Sequence, residues 1–481
     1  MIAKAKSLVQ KILPKNTFAR GVSILVGGTA SAQILLVLAA PLLTRLYSPE
    51  DFGLLAVYAS LLALIGVVSC LRYELAIPLP ENDQEAANVA ALCLILVAIS
   101  SLLTVLLVVL LGEAIAVTLS VPKLANYFWL LPVGVLVSGA YSVFSYWGIR
   151  TKRFTTIAAT KLRQAIAMLA IQLAAYKLGG IALLFGQVAG QGVGTTSLAL
   201  PALTSPNFRH ISWQGILLAK RRYRRFPLFL TWDGLLNTTG TQLPPILFAA
   251  LFGPVASGLY SLAHRVISLP ASLLGDAIGQ VFFGNAAETY RAGQHGPLVS
   301  QLQAKLIHIG MPLVLILILL GPDLFALVFG EQWRQAGEFS RWMAPWLFFG
   351  FVFSPLSTLF AVMERQKQFL MLQAILFITR LVAIGIGAYI GNLSVMIMLF
   401  SGVSAICYFG FLFWVAHLAG NRAQSIYQPL LVSLGLALVA IVPLMIAIIV
   451  PYISPLAWAV ALLSTAVLLV AYYWKLLRKA Y

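Results

Sequence analysis

The sequence predicts an all-α polytopic membrane protein, and three observations lead to that class. Hydrophobic residues make up 60% of the 481 positions and charged residues only 10%, a balance far from that of soluble domains. Apolar stretches long enough to cross the hydrocarbon core as helices, about 20 residues each, follow one another with short breaks. These stretches are continuously apolar rather than alternating, which argues against an outer-membrane barrel.

We predict fourteen transmembrane helices. The first six occupy residues 21–44, 52–77, 86–111, 125–148, 154–176 and 179–202, and the next six occupy 227–251, 254–286, 298–330, 338–363, 368–391 and 394–418. Two more, at 428–450 and 455–474, close the series. The first stretch is too long for the apolar core of a signal peptide, so we expect it to remain as the first span.

The formal net charge of +18 follows a topological pattern. With the N-terminus inside, 21 basic residues fall in the termini and even-numbered gaps, and five fall on the opposite side. This positive-inside asymmetry predicts a multi-pass protein with both termini in the cytoplasm. No basic stripe with interleaved aromatic residues lies outside the apolar stretches, so no nucleic-acid partner is expected.

A nine-residue motif occurs twice between apolar stretches, at Leu46–Leu54 and at Leu251–Leu259. Both copies have Leu, an aromatic residue, a small residue and Pro, followed by Gly and Leu. Proline has no backbone N–H and is well placed in the first turn of a helix. The motif therefore predicts a tight helical hairpin whose second helix begins at Pro49 or Pro254.

A second motif indicates that the chain consists of two similar halves. Arg150–Phe154 and Arg365–Phe369 share the pattern Arg-x-Lys-x-Phe, 215 residues apart against 205 for the hairpins. We therefore expect about ten extra residues in the second half, near the ninth span. Since each half contains an even number of spans, the halves form a parallel repeat, whose substrate site is expected between them.

The domains predicted from this repeat are two six-helix lobes and two additions. Residues 1–203 form the N-terminal lobe and 227–420 the C-terminal lobe. Residues 204–226 form a basic cytoplasmic linker, and 421–481 contain the last two spans and a cytoplasmic tail. The basic cluster of the linker is either a topogenic signal that joins the lobes or a segment that attracts anionic lipid head groups.

Basic residues deep within the predicted spans are the candidate substrate-binding groups. Lys161 and Arg163 lie ~10 and ~14 Å into the fifth span, and Arg380 lies ~16 Å into the eleventh. Arg265 lies near the midplane in the eighth span. Because an arginine at the bilayer centre costs about 2.5–3.5 kcal/mol, this basic excess predicts a cationic cavity for an anionic ligand, and arginine suits phosphate. In the alternative, Lys161 extends to the surface and the arginines hold helices together.

Asp233, in the seventh span, is the one carboxylate of comparable depth. It is a candidate for coupling transport to a proton or sodium gradient, and the alternative is a structural ion pair with an arginine. No loop is long enough for a catalytic domain, and no nucleophile elbow, phosphate-binding loop or His-rich cluster occurs. We therefore expect no enzymatic activity, catalytic residue, metal or cofactor.

Three stretches, Pro41–Gly53, Leu71–Ile77 and Gly258–Ala263, resemble Wzx-type flippases of the multidrug/oligosaccharidyl-lipid/polysaccharide exporter superfamily. The resemblance implies two six-helix lobes that alternate between inward-open and outward-open states. It implies a substrate in which an oligosaccharide is linked to undecaprenyl pyrophosphate. The resemblance implies that this substrate moves from the cytoplasmic to the periplasmic leaflet of the bacterial inner membrane. The movement would serve O-antigen or other surface polysaccharide synthesis, with polymerase or ligase machinery as partners. The site residues above are nominated from their depth and not from this resemblance.

Two alternatives remain open at the level of sequence. A cation-coupled small-molecule antiporter of the multidrug type would favour carboxylates within the membrane, whereas this chain has one deep Asp against several basic residues. A membrane glycosyltransferase or polymerase that acts on the same lipid carrier would need a sizeable outward loop. The longest outward gap, around residues 331–337, is short.

Overall fold

The computed structural model describes residues 17–291, 295–450 and 454–478. Within these ranges the chain forms helices joined by turns and contains no β-strand. The long helices are α1 Thr17–Leu46, α2 Pro49–Ser69, α3 Asp83–Thr118, α4 Leu130–Arg150, α5 Phe154–Ala174, α6 Gly180–Leu203, α7 Thr231–Phe252, α8 Pro254–Arg291, α9 His295–Phe329, α10 Arg334–Leu356, α11 Gln366–Ile390, α12 Leu393–Leu418, α13 Gln424–Ile449 and α14 Pro455–Arg478.

These helices confirm the predicted fold class, because each one overlaps the predicted span of the same number. By length and composition, nine of them are apolar enough to cross a membrane: α1 to α4, α9 and α11 to α14, within the described residues. The more polar ones are α5, α6, α7, α8 and α10. Three of the four predicted basic site residues, together with Asp233, lie on α5, α7 and α8. Polar residues in membrane helices face the bundle interior or a watery cavity rather than lipid.

The chain divides into two compact units between Ser261 and Leu262, within α8. Each unit has its own apolar core. In the first, buried side chains of α2, α3 and α4 such as Tyr58 and Trp147 form two clusters. In the second, α9, α10 and α12 supply the main cluster, with Phe353 in its interior. This division differs from the predicted lobes, which end at residue 203 and begin at residue 227. The predicted lobes stay a prediction.

Both hairpins form as the motif predicts. α2 begins at Pro49, and Ser48 caps it reciprocally with Asp51: the Asp51 N–H donates to Ser48 Oγ over 3.2 Å and the Ser48 N–H donates to Asp51 Oδ2 over 3.0 Å. α8 begins at Pro254, after Gly253 in a left-handed conformation with a φ of 83°. Each proline lies in the first helical turn, where a missing N–H costs nothing.

The two hairpin motifs also contact each other, which the sequence alone did not indicate. A Cβ at Gly53 would lie 1.8 Å from the carbonyl oxygen of Pro254, and a Cβ at Gly258 would lie 1.9 Å from that of Pro49. Each motif therefore places its glycine against the proline of the other. This reciprocal crossing requires glycine at both positions because any side chain would overlap the opposing backbone.

The second repeated motif is out of register by three residues. Arg153 and Arg365 are the residues that precede α5 and α11. Their N–H groups make equivalent bonds, to Gly148 O over 2.8 Å and to Phe360 O over 2.7 Å. These positions are 212 residues apart, so Arg365 corresponds to Arg153 rather than to Arg150. The predicted offset of 215 was wrong because a five-residue pattern match does not fix backbone equivalence.

The extra residues of the second half lie in a different place from the one predicted. α3 begins at residue 83 and α9 begins at residue 295, so these two helix starts are 212 residues apart, as are the starts of α5 and α11. The hairpins before them differ by 205, so about seven residues are added between the start of α8 and the start of α9. The first half has a short helix and a turn in this region, whereas α8 runs on for 38 residues. The expectation of an insertion near the ninth span was therefore wrong.

A prediction follows from the crossing glycines. Gly53→Ala and Gly258→Ala should each lower the stability of the purified protein by at least about 1–3 kcal/mol, because the added methyl group overlaps opposing backbone. Gly66→Ala, in the same helix as Gly53, is the matched control since nothing lies within 4 Å of its added Cβ. The measurement is the melting temperature and the monodisperse fraction in detergent. Equal values for all three variants would contradict the crossing.

Candidate functional site

α11 places Arg380 among aromatic rings in the second unit. The guanidinium carbon lies 4.9 Å from the ring centre of Trp346, 5.1 Å from that of Phe400 and 5.9 Å from that of Tyr408. The Arg380 Nε donates to the Ser404 hydroxyl over 2.8 Å. We call Arg380 and these four partners the arginine cage. A cation over an aromatic face is attracted by the negative ring face, most strongly when water is excluded.

The cage arises from simple helical spacing. Phe400, Ser404 and Tyr408 are four residues apart on α12 and so lie on one face of that helix. α11 ends before Gly391 in a left-handed conformation, and Asn392 caps α12, with the Val395 N–H donating to its side-chain oxygen over 3.2 Å. This short connection makes the two helices antiparallel neighbours. Trp346 comes from α10.

The cage contains buried donors without acceptors. Arg380 Nη2 and Trp346 Nε1 are both buried, and neither has a hydrogen-bond partner in the described part of the chain. Cation–π contacts hold the guanidinium in place but do not supply an acceptor. Because an unpaired buried donor costs about 1–3 kcal/mol, an anionic oxygen would be stabilised here. No carboxylate of the described residues forms an ion pair with Arg380.

The structure brings α8 to the same cage. His264 stacks on the Trp346 ring, with centres 5.8 Å apart and planes 23° apart. Arg265 follows it directly and is half-buried. Among the described residues, no hydrogen bond or ion pair involves the guanidinium of Arg265. Arg380 therefore contacts the Trp346 ring directly. His264 stacks on the same ring, and Arg265 is the residue that follows His264.

The two basic residues of α5 lie on different faces of the helix. Lys161 is half-buried, with its Nζ 4.6 Å from the ring centre of Tyr141. The Tyr141 hydroxyl lies 3.3 Å from Thr160 Oγ1. Arg163 is exposed, on the same side as the exposed Ile166. Lys161 thus has a fixed environment within the first unit, and Arg163 has its guanidinium outside the packed core of that unit.

Asp233 is exposed in the first turn of α7. A π-helical turn, Phe226–Leu230, leads into this helix. Asp233 forms no ion pair with any arginine or lysine of the described residues. The structural ion pair considered as the alternative is therefore absent there, and the role in ion coupling stays a prediction.

Sequence reasoning missed a buried carboxyl group in the first unit. Glu74 lies in a 3₁₀ turn after α2, with its side chain only 7% exposed and its Oε1 3.7 Å from Arg72 Nη1. Its Oε2 and Arg72 Nε are buried and have no hydrogen-bond partner in the described chain. Burial raises the pKa of Glu74 above its usual value, although Arg72 opposes that change.

Backbone strain at this turn is the reason that the pair was missed. The predicted second span, residues 52–77, would place Arg72 and Glu74 in one continuous helix, where residues two apart point to different faces. Instead α2 ends at Ser69, and Leu71 and Arg72 adopt left-handed conformations with φ of 49° and 61°. Such strain persists only where the surrounding structure enforces it. The signal available in the sequence was the two charges enclosed by the apolar run Leu71–Ile77.

Comparison with known proteins places the chain in a family. A family described as "Polysaccharide biosynthesis protein" matches residues 42–338, which is more than half of the chain. The chain belongs to this family. A search of curated proteins found no similar sequence.

Solved structures with the same fold are transporters. "Lipid II flippase MurJ, inward closed conformation" matches with a TM-score of 0.74 and 13% identity, over 95% of this chain and 99% of that one. An inward-facing multidrug resistance MATE transporter of the MOP superfamily matches with a TM-score of 0.64 and 14% identity, over 81% and 94%. A MOP superfamily transporter from Pyrococcus furiosus, described by the reverse polarity of its binding pocket, matches at 0.51 and 14%, over 83% and 96%.

These findings confirm the resemblance and the fold class predicted from the sequence. The matched structures have the predicted multi-pass helical fold, and their descriptions name a flippase and transporters rather than enzymes. The predicted site residues Arg163, Arg265, Arg380 and Lys161 are not tested by the matches and stay predictions.

A prediction follows from the burial of Glu74. Because the folded protein holds the Glu74 proton more tightly than the unfolded chain, this group stabilises the fold at low pH. That contribution is lost as the pH rises through the raised pKa. Glu74→Gln should therefore melt at a higher temperature than wild type at neutral pH, with a smaller difference under acidic conditions. Arg72, Cys93 and Tyr146 face the same carboxyl group and are unchanged.

Glu81→Gln serves as the control for this measurement, since Glu81 is an exposed carboxylate of the same loop. It should match wild type at both pH values. A Glu74→Gln variant with a pH profile parallel to that of wild type would show that Glu74 is not buried in its neutral form.

Proposed function

We propose that the protein is a flippase that moves undecaprenyl-pyrophosphate-linked oligosaccharide from the cytoplasmic to the periplasmic leaflet by alternating access. The observation that carries this proposal is the arginine cage. The half-buried Arg380 has a buried donor, Nη2, without an acceptor, and the neighbouring Trp346 has another, Nε1. A pyrophosphate has several anionic oxygens that could accept hydrogen bonds from these two donors. Membership of a polysaccharide biosynthesis family supports a saccharide-linked substrate.

The cage favours binding without permanent capture. Arg380 is already held by three rings and Ser404, so little side-chain entropy is lost when an anion arrives. Arginine presents a planar set of donors that matches phosphate oxygens. The aromatic contacts remain in place when the anion leaves, so the guanidinium does not depend on the substrate for its position. A transporter must bind its substrate strongly enough to select it and weakly enough to release it.

The antiporter alternative is supported by the matches to MATE transporters, and the cage argues against it. Aromatic cages recognise organic cations, but here the rings are occupied by the chain's own arginine. A further organic cation would meet like charge. The description of the Pyrococcus furiosus transporter links pocket polarity to a different function within this fold, so charge is a reasonable basis for choosing between the two.

The glycosyltransferase or polymerase alternative has less support. The outward connection between α9 and α10 consists of Gly330 and a three-residue turn, Glu331–Trp333. Within the described residues no group of three or more His, Cys, Asp or Glu side chains could hold a metal ion. We place the protein in the inner membrane with both termini in the cytoplasm, and we retain Asp233 as the candidate for proton or sodium coupling.

The direct test uses purified protein in liposomes that contain labelled undecaprenyl-pyrophosphoryl oligosaccharide. Protein should increase transbilayer movement of the label above that of empty liposomes. An organic-cation efflux assay in the same liposomes examines the antiporter alternative. Movement of the lipid-linked label equal to that of empty liposomes, together with cation efflux, would overturn the proposal.

A second prediction concerns the cage itself. Arg380→Ala and Arg265→Ala should each lower the flipping rate about tenfold or more without lowering membrane abundance, since the loss of one charge-assisted contact is worth about 1.5–3 kcal/mol. Arg380→Lys keeps the charge but not the planar donors, so an intermediate rate is expected. Arg365→Ala, an exposed arginine before α11, is the control for charge. Full activity of both alanine variants would show that the site assignment is wrong.

A further inference from the structure

The predicted linker folds into a short helix, Trp213–Arg222, which we call the linker helix. Ser212 caps its start, with the Gly215 N–H donating to the Ser212 hydroxyl over 3.1 Å. Ile216 and Ala219 are buried, as is Tyr223 just after the helix. These three positions are spaced by three and four residues and so form one face, which packs against the start of α3.

Polar contacts with α3 fix the rotation of the linker helix about its axis. Arg222 Nη1 donates to both oxygens of Glu85, over 2.8 and 3.0 Å. The Ser212 N–H donates to Asn88 Oδ1 over 3.0 Å. A Cβ at Gly215 would lie 2.6 Å from the Asn88 side chain, so the helix approaches α3 closely. The residues that it exposes are therefore set by its packing and not by free rotation.

The exposed side of the linker helix is apolar at its beginning. Trp213 is 66% exposed and Leu218 is 65% exposed, and Leu217 is exposed between them. The exposed apolar surface resumes in the turn that leads into α7, at Leu228 and Phe229. Because α7 is the predicted seventh span, the linker helix lies in sequence directly before the point where the chain is expected to enter the bilayer. Tryptophan is enriched at that depth.

The end of the linker helix and the residues after it are basic. Lys220, Arg221, Arg224 and Arg225 are exposed, and none of these four forms an ion pair with a described residue. Arg222 differs, since it is paired with Glu85. The segment thus combines unpaired positive charge with exposed Trp and Leu side chains.

We propose that the linker helix docks on the anionic phospholipid head groups of the cytoplasmic leaflet. Its Trp213, Leu217 and Leu218 side chains enter the boundary between head groups and acyl chains, and its basic residues face the lipid phosphates. Interfacial helices have this combination of apolar and cationic side chains. A topogenic role explains the charges but not the exposed Trp and Leu. A protein partner has no equivalent support, since the segment continues directly into α7, the predicted seventh span.

The test places a fluorophore on Leu217→Cys in the full-length protein, with Cys407→Ala. Cys70 and Cys93 are buried and stay unchanged. The protein is reconstituted in vesicles of phosphatidylcholine alone and in vesicles with about a third phosphatidylglycerol, each with a quencher attached near the lipid carbonyl. We expect about twofold stronger quenching in the anionic vesicles, and we expect high salt to remove that difference. No pyrophosphate substrate is present, so phospholipid is the source of negative charge.

Two controls make the outcome specific. A label at Lys152→Cys, in another predicted cytoplasmic loop with basic residues, should show no effect of lipid charge. Replacement of Lys220, Arg221, Arg224 and Arg225 by Gln, with the Arg222 pair retained, should abolish the difference at Leu217→Cys. Quenching that is independent of lipid charge and salt would overturn the proposal. So would a Leu217→Cys label that aqueous iodide quenches equally in both vesicles, since it would show a helix exposed to water or available to a protein partner.

Discussion

The close crossing of the two hairpin motifs is the contact on which the first unit depends. Gly53 meets the Pro254 carbonyl and Gly258 meets the Pro49 carbonyl, so two helix starts are held at backbone contact without a side chain between them. Lipid offers no hydrophobic drive for helices to associate, and small residues at such crossings gain stability through close packing. The adjacent Ser120 hydroxyl donates to Ala250 O over 3.0 Å, and Tyr47 donates to Gln172 O. The crossing thus fixes where α2, α7 and the start of α8 lie.

Charge is handled differently at three places in the chain. Arg380 lies among aromatic rings, and its buried Nη2 has no acceptor. This arrangement is suited to the reversible binding of an anionic ligand. Glu74 and Arg72 lie within 3.7 Å of each other but leave polar atoms unpaired, at a turn where the backbone is strained. In the linker helix, Arg222 is paired with Glu85, while its basic neighbours Lys220 and Arg221 are exposed. The residues that surround each arginine therefore decide what its charge can do.

Much of the fold was predictable because membrane helices carry their signal locally. About 20 apolar residues define a span, and Pro49 and Pro254 mark helix starts through their missing N–H. The repeat was less predictable, since Arg150 and Arg365 matched in pattern while Arg153 and Arg365 match in backbone bonds. Arg150 instead donates to Asp83 Oδ1 over 2.8 Å and to the Pro80 carbonyl over 2.6 Å. A short pattern records residue types, and hydrogen bonds decide which positions are equivalent.

The sequence by itself determined the membrane class, the helices and the hairpins, because burial in lipid imposes these residue by residue. The spacing of Phe400, Ser404 and Tyr408 was visible on one helix. Only the tertiary structure decided that Trp346 from α10 and His264 from α8 meet there, that Glu74 is buried, and that Gly53 opposes Pro254. Those contacts join residues far apart in the chain, and the packing of helix against helix that creates them leaves no local pattern to detect.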